Sequence, residues 1–185
     1  MRKFIKVLSV LAILFVAIVS KSNAQQCNLQ GVVKYKYNDY IGYEIDDGAE
    51  IYIISVSSVP NINFQDWEKY QKLAKDYMHF LDFKNEFGIT YARTFCLSEA
   101  EEKVLDSLES KCFSESIYIK TNAEFIALVD GTGKYSLQLP FGEYYILAKS
   151  NNRKRPIIME LDGRIILKKE TIDKPNKILS FEFDY

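Results

Sequence analysis

The chain has 185 residues, of which 48% are hydrophobic, 14% aromatic and 26% charged, with a formal net charge of −1. This aromatic content excludes an intrinsically disordered chain and is sufficient for a packed core. A chain without excess positive charge is a poor candidate for nucleic-acid binding.

The first 24 residues have the three parts of a secretory signal peptide. Arg2, Lys3 and Lys6 are basic, residues 7–19 form a nearly unbroken apolar run, and small residues precede a cleavage position after Ala24. The run is shorter than the roughly 20 residues of a comfortable membrane-spanning helix. We therefore expect cleavage before Gln25 and export to the periplasm, the cell surface or the medium of a bacterium.

The mature chain, residues 25–185, is expected to form one domain. Without the leader it has 20 basic and 25 acidic residues. It contains no apolar run of membrane-spanning length, so we expect no stable membrane span after cleavage.

Two strands are predicted in residues 29–56, where apolar and polar residues alternate. The first runs from Leu29 to Tyr37 and the second starts at Ala49, with a turn-rich stretch from Asn38 to Gly48 between them.

Between about residues 61 and 112 the apolar period changes to about 3.6 residues, which predicts two helices. The first helix has one apolar stripe, formed by Phe64, Trp67, Tyr70, Leu73, Tyr77 and Leu81. Ser98 and Glu101 have the spacing of a capping box and predict the start of the second helix. Its apolar stripe ends at Cys112, and we expect the helical pair to dock by these stripes.

From residue 113 to 185 the pattern returns to strands. We predict them at residues 116–120, 124–129, 135–139, 144–150, 157–161, 164–169 and 178–183, with turn sequences such as Asp162-Gly163 between them. The two strand-rich zones together match the ~100 residues of an immunoglobulin-like sandwich. The helical pair is therefore predicted to be an insertion into a mainly β fold.

Four blocks in the strand zones form an ordered motif. They are Gly31-Val32-Val33, Gly48-Ala49-Glu50-Ile51, the turn from Asp130 through Gly133 to Tyr135, and the turn from Leu139 through Gly142 to Tyr144. This pattern resembles the carboxypeptidase regulatory-like domain family. The resemblance implies a seven-stranded transthyretin-like β-sandwich, and an accessory role in folding or contacts of secreted and envelope proteins. The helical insertion departs from the family pattern.

The cysteines are Cys27, Cys96 and Cys112, an odd number for an exported chain. A helix between Cys96 and Cys112 would hold their Cα atoms roughly 20–24 Å apart, which excludes that disulfide. An intramolecular disulfide would therefore use Cys27, with Cys112 as the preferred partner. The alternative is three reduced cysteines.

Candidate chemical sites are few. His79 is the single histidine, and Asp76 and Asp82 flank it, but zinc needs further ligands. A carboxylate cluster could instead hold calcium, although its spacing matches no calcium loop; it comprises Asp46, Asp47 and Glu50, with Asp130 near them. We therefore predict no catalytic residue, metal site or cofactor.

Two features could bind a partner, either an envelope protein or a glycan. One is the basic loop of residues 149–155, with Lys149, Arg153, Lys154 and Arg155. The other is a set of strand tyrosines that offer apolar rings and polar tips, namely Tyr35, Tyr37, Tyr40, Tyr43, Tyr52, Tyr144 and Tyr145.

The sequence thus predicts an exported, non-enzymatic binding or structural module of the cell envelope. The alternative is an exported hydrolase with a site formed by the helical insertion and the sandwich loops. A cleft with converging titratable groups would distinguish the second from the first.

Overall fold

The structure is a computed structural model that describes residues 25–38, 40–59, 62–87, 98–152 and 164–183. The predicted signal peptide, the predicted strand at residues 157–161 and Cys96 lie outside these residues. The strands are β1 (Gln26–Asn38), β2 (Gly42–Ile45), β3 (Glu50–Ser55), β4 (Phe125–Leu128), β5 (Lys134–Pro140), β6 (Gly142–Lys149), β7 (Ile165–Ile172), β8 (Asn176–Ile178) and β9 (Phe181–Phe183). The helices are α1 (Phe64–Phe87) and α2 (Glu99–Asn122).

Sheet 1 is built around the long strand β1. Strand β5 pairs antiparallel with residues 26–32 and β2 pairs antiparallel with residues 34–38. Strands β8 and β9 pair with β1 in parallel. Gly31 lies where the chain after β8 approaches β1, and a Cβ atom added there would lie 1.8 Å from the Leu179 carbonyl oxygen. The glycine that opens the sequence motif is therefore required by this close approach.

Sheet 2 has the strand order β4-β3-β6-β7, with every pair antiparallel. Its inner face packs on the inner face of sheet 1 around a first core. This core includes Leu29, Val33, Ile51, Ile53, Tyr135, Leu139, Ile146, Phe181 and Phe183. The two packed sheets confirm the predicted β-sandwich.

Both helices cover the outer face of sheet 2 and enclose a second core. Trp67, Tyr70 and Leu73 from α1 meet Leu105, Cys112 and Ile119 from α2 over the strand residues Ile54, Tyr145, Leu147, Ile165 and Leu167. Trp67 has 0% of its surface exposed. The apolar stripes thus dock as predicted, and the molecule has a third, helical layer.

The second helix is longer than the sequence pattern predicted. Residues 116–120 are helical and not a strand, and the insertion therefore ends at Asn122 instead of residue 112. The alternating Ile117-Tyr118-Ile119 favours a strand locally, but the continued helix buries Ser116 and Ile119 beside Cys112. Packing in the second core outweighs the local strand propensity.

The observed strands also differ in detail from the predicted ones. The described residues contain nine strands, whereas the family resemblance implied seven. The turn-rich stretch after β1 contains β2, and the predicted strand at residues 178–183 is divided into β8 and β9. Both differences arise because short segments pair with the long strand β1.

Two local predictions are confirmed. Ser98 and Glu101 form the capping box, since the Ser98 side chain accepts from the Glu101 N–H and the Glu101 carboxylate accepts from the Ser98 N–H. Gly133 has a φ of +77°, which explains the glycine at this turn. Of the helices in the described residues, none has the length and apolar character to cross a membrane.

The preferred disulfide between Cys27 and Cys112 is wrong. Both are free thiols, and they are buried in different cores, Cys27 in the first and Cys112 in the second. Burial, with the nearby carboxylates of Glu115 and Asp66, raises the pKa of the Cys112 thiol to about 12. Cys112 therefore packs as a small hydrophobic residue and is not a reactive thiolate.

Candidate functional site

The predicted carboxylate cluster and the basic loop meet at one end of the sandwich. Asp46 is fully buried, and its carboxylate accepts hydrogen bonds from the Ser150 hydroxyl, from the backbone N–H of Asn151 at 3.2 Å, and from the backbone N–H of Asn152 at 3.0 Å. The side-chain amide of Asn152 donates to the same carboxylate at 3.1 Å. Asp46 therefore holds the start of the basic loop in place.

The charged residues beside Asp46 pair with each other. Lys149 Nζ lies 2.7 Å from Glu50 Oε2. Burial opposes ionisation of Glu50, but hydrogen bonds from Lys149 and Tyr52 and the charge of Lys149 lower its pKa below the usual value. Lys149 is thus engaged within the domain, and Arg153, Lys154 and Arg155 lie outside the described residues.

Asp130 lies at the same end of the sandwich, but its carboxylate bonds to donors in the turn that it begins. Its carboxylate accepts from the Thr132 N–H at 2.8 Å, the Thr132 hydroxyl at 2.7 Å and the Lys134 N–H at 3.0 Å. These hydrogen bonds lower the pKa of Asp130. In the part of the chain that the structure describes, no three metal-ligating side chains come together. The carboxylates of Asp46, Glu50 and Asp130 each accept hydrogen bonds from donors of their own chain.

The remaining predicted titratable site is on α1. Asp76 and His79 both belong to this helix, and the side chains of His79 and Asp82 lie outside the described part of the chain.

Three of the predicted tyrosines are structural. Tyr144 and Tyr145 are buried, and their hydroxyls donate to the carbonyls of Pro140 at 2.9 Å and Ile62 at 3.3 Å. Tyr52 packs against the second core, and burial with its hydrogen bond to Glu50 raises its pKa to about 12. These three positions do not offer a binding surface.

The other tyrosines gather on the hairpin of β1 and β2, which we call the tyrosine hairpin (residues 35–45). Tyr40 is 101% exposed, Tyr37 55% and Tyr43 45%. Tyr35 packs edge-on against Tyr37 with ring centroids 6.5 Å apart, and its hydroxyl donates to Glu44 at 3.0 Å. Ile41 and Ile45 are also exposed on this hairpin. It is the main exposed aromatic feature of the described residues.

The outer face of sheet 1 continues from the tyrosine hairpin, and we call it the open face because neither of the two described helices covers it. The strand registers place the following side chains on it: Asn28, Gln30, Val32, Lys34, Lys36, Tyr43, Ile45, Lys134, Ser136, Gln138, Ile178 and Glu182. Amides, a hydroxyl and ammonium groups thus alternate with an aromatic ring and aliphatic side chains.

A shallow groove of about 460 Å³ opens at this face and extends to Leu128 of β4. It is lined by Gln30, Gly31, Val32, Leu128, Asp130, Lys134, Tyr135, Ser136 and Ile178. None of these residues belongs to α1 or α2. This groove could not be predicted from the sequence, because polar residues that alternate along a strand are typical of any solvated sheet face.

Comparisons with known proteins give distant structural similarities. No family model matches the chain, and no curated protein matches it. A candidate carbohydrate-binding protein from Pseudomonas aeruginosa is similar at 11% identity with a TM-score of 0.40, covering 86% of this chain and 89% of that one. The major pilin RrgB from Streptococcus pneumoniae is similar at 10% identity with a TM-score of 0.32, covering 86% of this chain and 31% of the pilin.

Proposed function

We propose that this protein is an exported, non-enzymatic binding module of the bacterial cell envelope that binds a glycan through the open face and the tyrosine hairpin. The main support for this proposal is that the helices cover the outer face of one sheet and not that of the other. The helices bury the outer face of sheet 2, whereas the outer face of sheet 1 presents a groove and the exposed ring of Tyr43, with Tyr40 exposed in the adjoining turn.

The chemistry of this surface suits a sugar chain. Sugar rings have apolar C–H faces and hydroxyl edges, and a tyrosine ring such as that of Tyr43 can cover the former. Gln30, Lys134 and Ser136 supply donors and acceptors along the groove. A shallow, open groove fits an extended polymer better than a compact small molecule, which is usually enclosed.

The same surface supports a binding module better than a hydrolase. A hydrolase site formed by the insertion would need a cleft between the helices and the sandwich loops, but the groove is lined by strands and the turn at Asp130. The groove carboxylate that could act as an acid or base, that of Asp130, is exposed, and its three hydrogen bonds lower its pKa. It is therefore unsuited to donate a proton near neutral pH.

The sequence motif supports placing the chain in the carboxypeptidase regulatory-like family. Gly31 allows the close approach of the chain after β8, and Gly133 supplies the positive φ of the turn between β4 and β5. Tyr135 and Tyr144 are buried and bond backbone carbonyls through their hydroxyls. Each of these four motif positions thus has a structural reason in this fold.

Affinity electrophoresis tests the proposal. The mature chain, residues 25–185, is run through native gels that contain xylan, alginate or solubilised peptidoglycan. We expect retardation by at least one of these polymers, and loss of retardation in a variant with Tyr40→Ala and Tyr43→Ala. Tyr118→Ala, a tyrosine that is 39% exposed on α2, is the matched control and should be retarded like the wild type. Migration unaffected by every polymer, or retardation that survives in the double variant, would contradict the proposal. If an envelope protein is the ligand instead, the polymers should have no effect.

A further inference from the structure

The lining of the groove on the open face contains one cationic and one anionic side chain, Lys134 and Asp130. Hydrogen bonds from Thr132 and Lys134, together with the charge of Lys134, lower the pKa of Asp130, so this carboxylate is ionised at neutral pH. A polyanion would be attracted by Lys134 but repelled by Asp130, and a polycation would meet the reverse. The charges of the groove therefore favour an uncharged ligand.

The apolar surface of the groove is aliphatic and not aromatic. Ile178 is 74% exposed, Leu128 is 68% exposed, and Val32 is partly buried. The aromatic residue in the lining, Tyr135, is only 4% exposed, and its hydroxyl donates to the Leu179 carbonyl. An aromatic ring covers the flat C–H face of a sugar, whereas aliphatic side chains suit a methyl group. The groove itself is thus better suited to a ligand that carries methyl groups than to a plain sugar ring.

One row of side chains crosses three strands of the groove. The strand registers place Ser136 of β5 and Ile178 of β8 on either side of Gln30 of β1, and neighbouring strands lie about 4.8 Å apart. The Ser136 hydroxyl donates to the side-chain oxygen of Asn28 at 2.9 Å. The exposed side-chain amide of Gln30 bonds to no other residue that the structure describes. A ligand above β1 therefore meets an amide that can both donate and accept, with an isoleucine side chain next to it.

We propose that the groove binds glycans whose sugars carry acetamido groups, an inference that rests on the proposed function. An acetamido group is uncharged and has an N–H donor, a carbonyl acceptor and a methyl group. The Gln30 amide can donate to the carbonyl or accept from the N–H, and the methyl group packs against Ile178 and Val32. A hydroxyl at the same sugar carbon could bond to Gln30, but it would leave these aliphatic side chains in water.

An NMR titration of the mature chain with two tetrasaccharides tests this inference. One is N-acetylchitotetraose, and the other is cellotetraose, which has the same backbone and linkage with a hydroxyl in place of each acetamido group. We expect N-acetylchitotetraose to bind about tenfold more tightly, since it adds a methyl contact and an amide hydrogen bond. The resonances that shift should include the Gln30 side-chain amide and the Ile178 methyl groups.

Two variants remove the proposed contacts separately. Gln30→Ala and Ile178→Ala should each reduce the preference for N-acetylchitotetraose to about threefold or less, because each leaves only one of the two contacts. Gln138→Ala is the matched control, since Gln138 is exposed on the same face but outside the groove lining, and it should keep the wild-type preference. The dispersion of the NMR spectrum verifies the fold of each variant.

The outcomes separate this inference from the proposed function. Equal affinity for the two tetrasaccharides, or a preference that survives in both Gln30→Ala and Ile178→Ala, would overturn the acetamido site and leave glycan binding intact. The same holds if neither tetrasaccharide binds but a polymer still retards the wild type and not the Tyr40→Ala, Tyr43→Ala variant. If neither the tetrasaccharides nor the polymers bind, the proposed function fails and the acetamido site fails with it.

Discussion

The docking of the helical layer depends on Trp67, and its replacement by alanine tests the whole arrangement. The side chain is fully buried in the second core and packs edge-on against Tyr70, with ring centroids 6.2 Å apart. Truncation of a buried tryptophan to alanine costs about 3–5 kcal/mol, from lost burial and from the cavity left behind. We expect a loss of this size in the free energy of unfolding.

A second contribution comes from the indole N–H. Trp67 Nε1 donates to Glu115 Oε2 at 2.6 Å, and burial raises the pKa of that carboxyl against the opposing effects of this hydrogen bond and of Lys111. Trp67→Phe keeps most of the ring and removes the donor. It should cost about 1.5–3 kcal/mol, the usual range for a hydrogen bond to a charged group. Because phenylalanine leaves part of the indole volume empty, its cost adds a smaller packing loss to that of the hydrogen bond.

Urea unfolding followed by tryptophan fluorescence and circular dichroism measures these losses. The wild type should emit at short wavelength, as a buried indole does, and shift to the red in one transition. Trp67→Ala lacks the chromophore and is followed by circular dichroism. Unfolding of Trp67→Ala at the wild-type urea concentration, together with wild-type emission typical of a solvated indole, would show that Trp67 is not buried. The helices would then stand away from sheet 2.

Two further predictions concern the end of the sandwich. Asp46→Asn should lower the free energy of unfolding by roughly 2–3 kcal/mol, since the amide cannot accept all the hydrogen bonds that Ser150, Asn151 and Asn152 donate; the exposed Asp47→Asn should be near neutral in the same urea titration. Gly133→Val should cost on the order of 1–3 kcal/mol, because φ is +77° and a Cβ would lie 2.8 Å from Ile45 Cγ2. Gly131→Ala, where an added Cβ meets nothing within 4 Å, is its control, and equal stability of the two variants would contradict the described turn.

Much of the fold could be predicted from local patterns, because each of these patterns acts over a few residues. The apolar stripe of α1, the capping box at Ser98 and the turn glycine at Gly133 all concern groups within one or two turns of chain. The end of α2 could not be predicted in the same way. The local pattern of residues 116–120 is that of a strand. The helical conformation is more stable because it buries Ile119 against distant strands in the second core.

The sequence predicted individual residues of the candidate site but not which of them lie together. The sequence showed the carboxylates near residue 46 and the basic loop near residue 150 as separate features, yet Asp46 and Ser150 are bonded across 104 residues of chain. Their pairing uses the carboxylate of Asp46 to fix the start of the basic loop, while Arg153, Lys154 and Arg155 lie outside the described residues. The tyrosines were equally ambiguous, because strand propensity explains Tyr144 and Tyr37 alike. Only the sheet partners distinguish the buried ring from the exposed one.

The sequence does indicate that both faces of sheet 2 are covered. The same pattern concerns the proposed binding surface on sheet 1. In β6 the residues Tyr144 through Ala148 are buried without interruption, whereas β1 alternates between buried and solvent-facing positions. A strand that is apolar at every position is covered on both faces, and an alternating strand is covered on one. The amphipathic helices are the elements that can supply the missing cover. The insertion is therefore accounted for by the apolar outer face of sheet 2, and the polar, alternating face of sheet 1 is the surface on which we propose that a glycan binds.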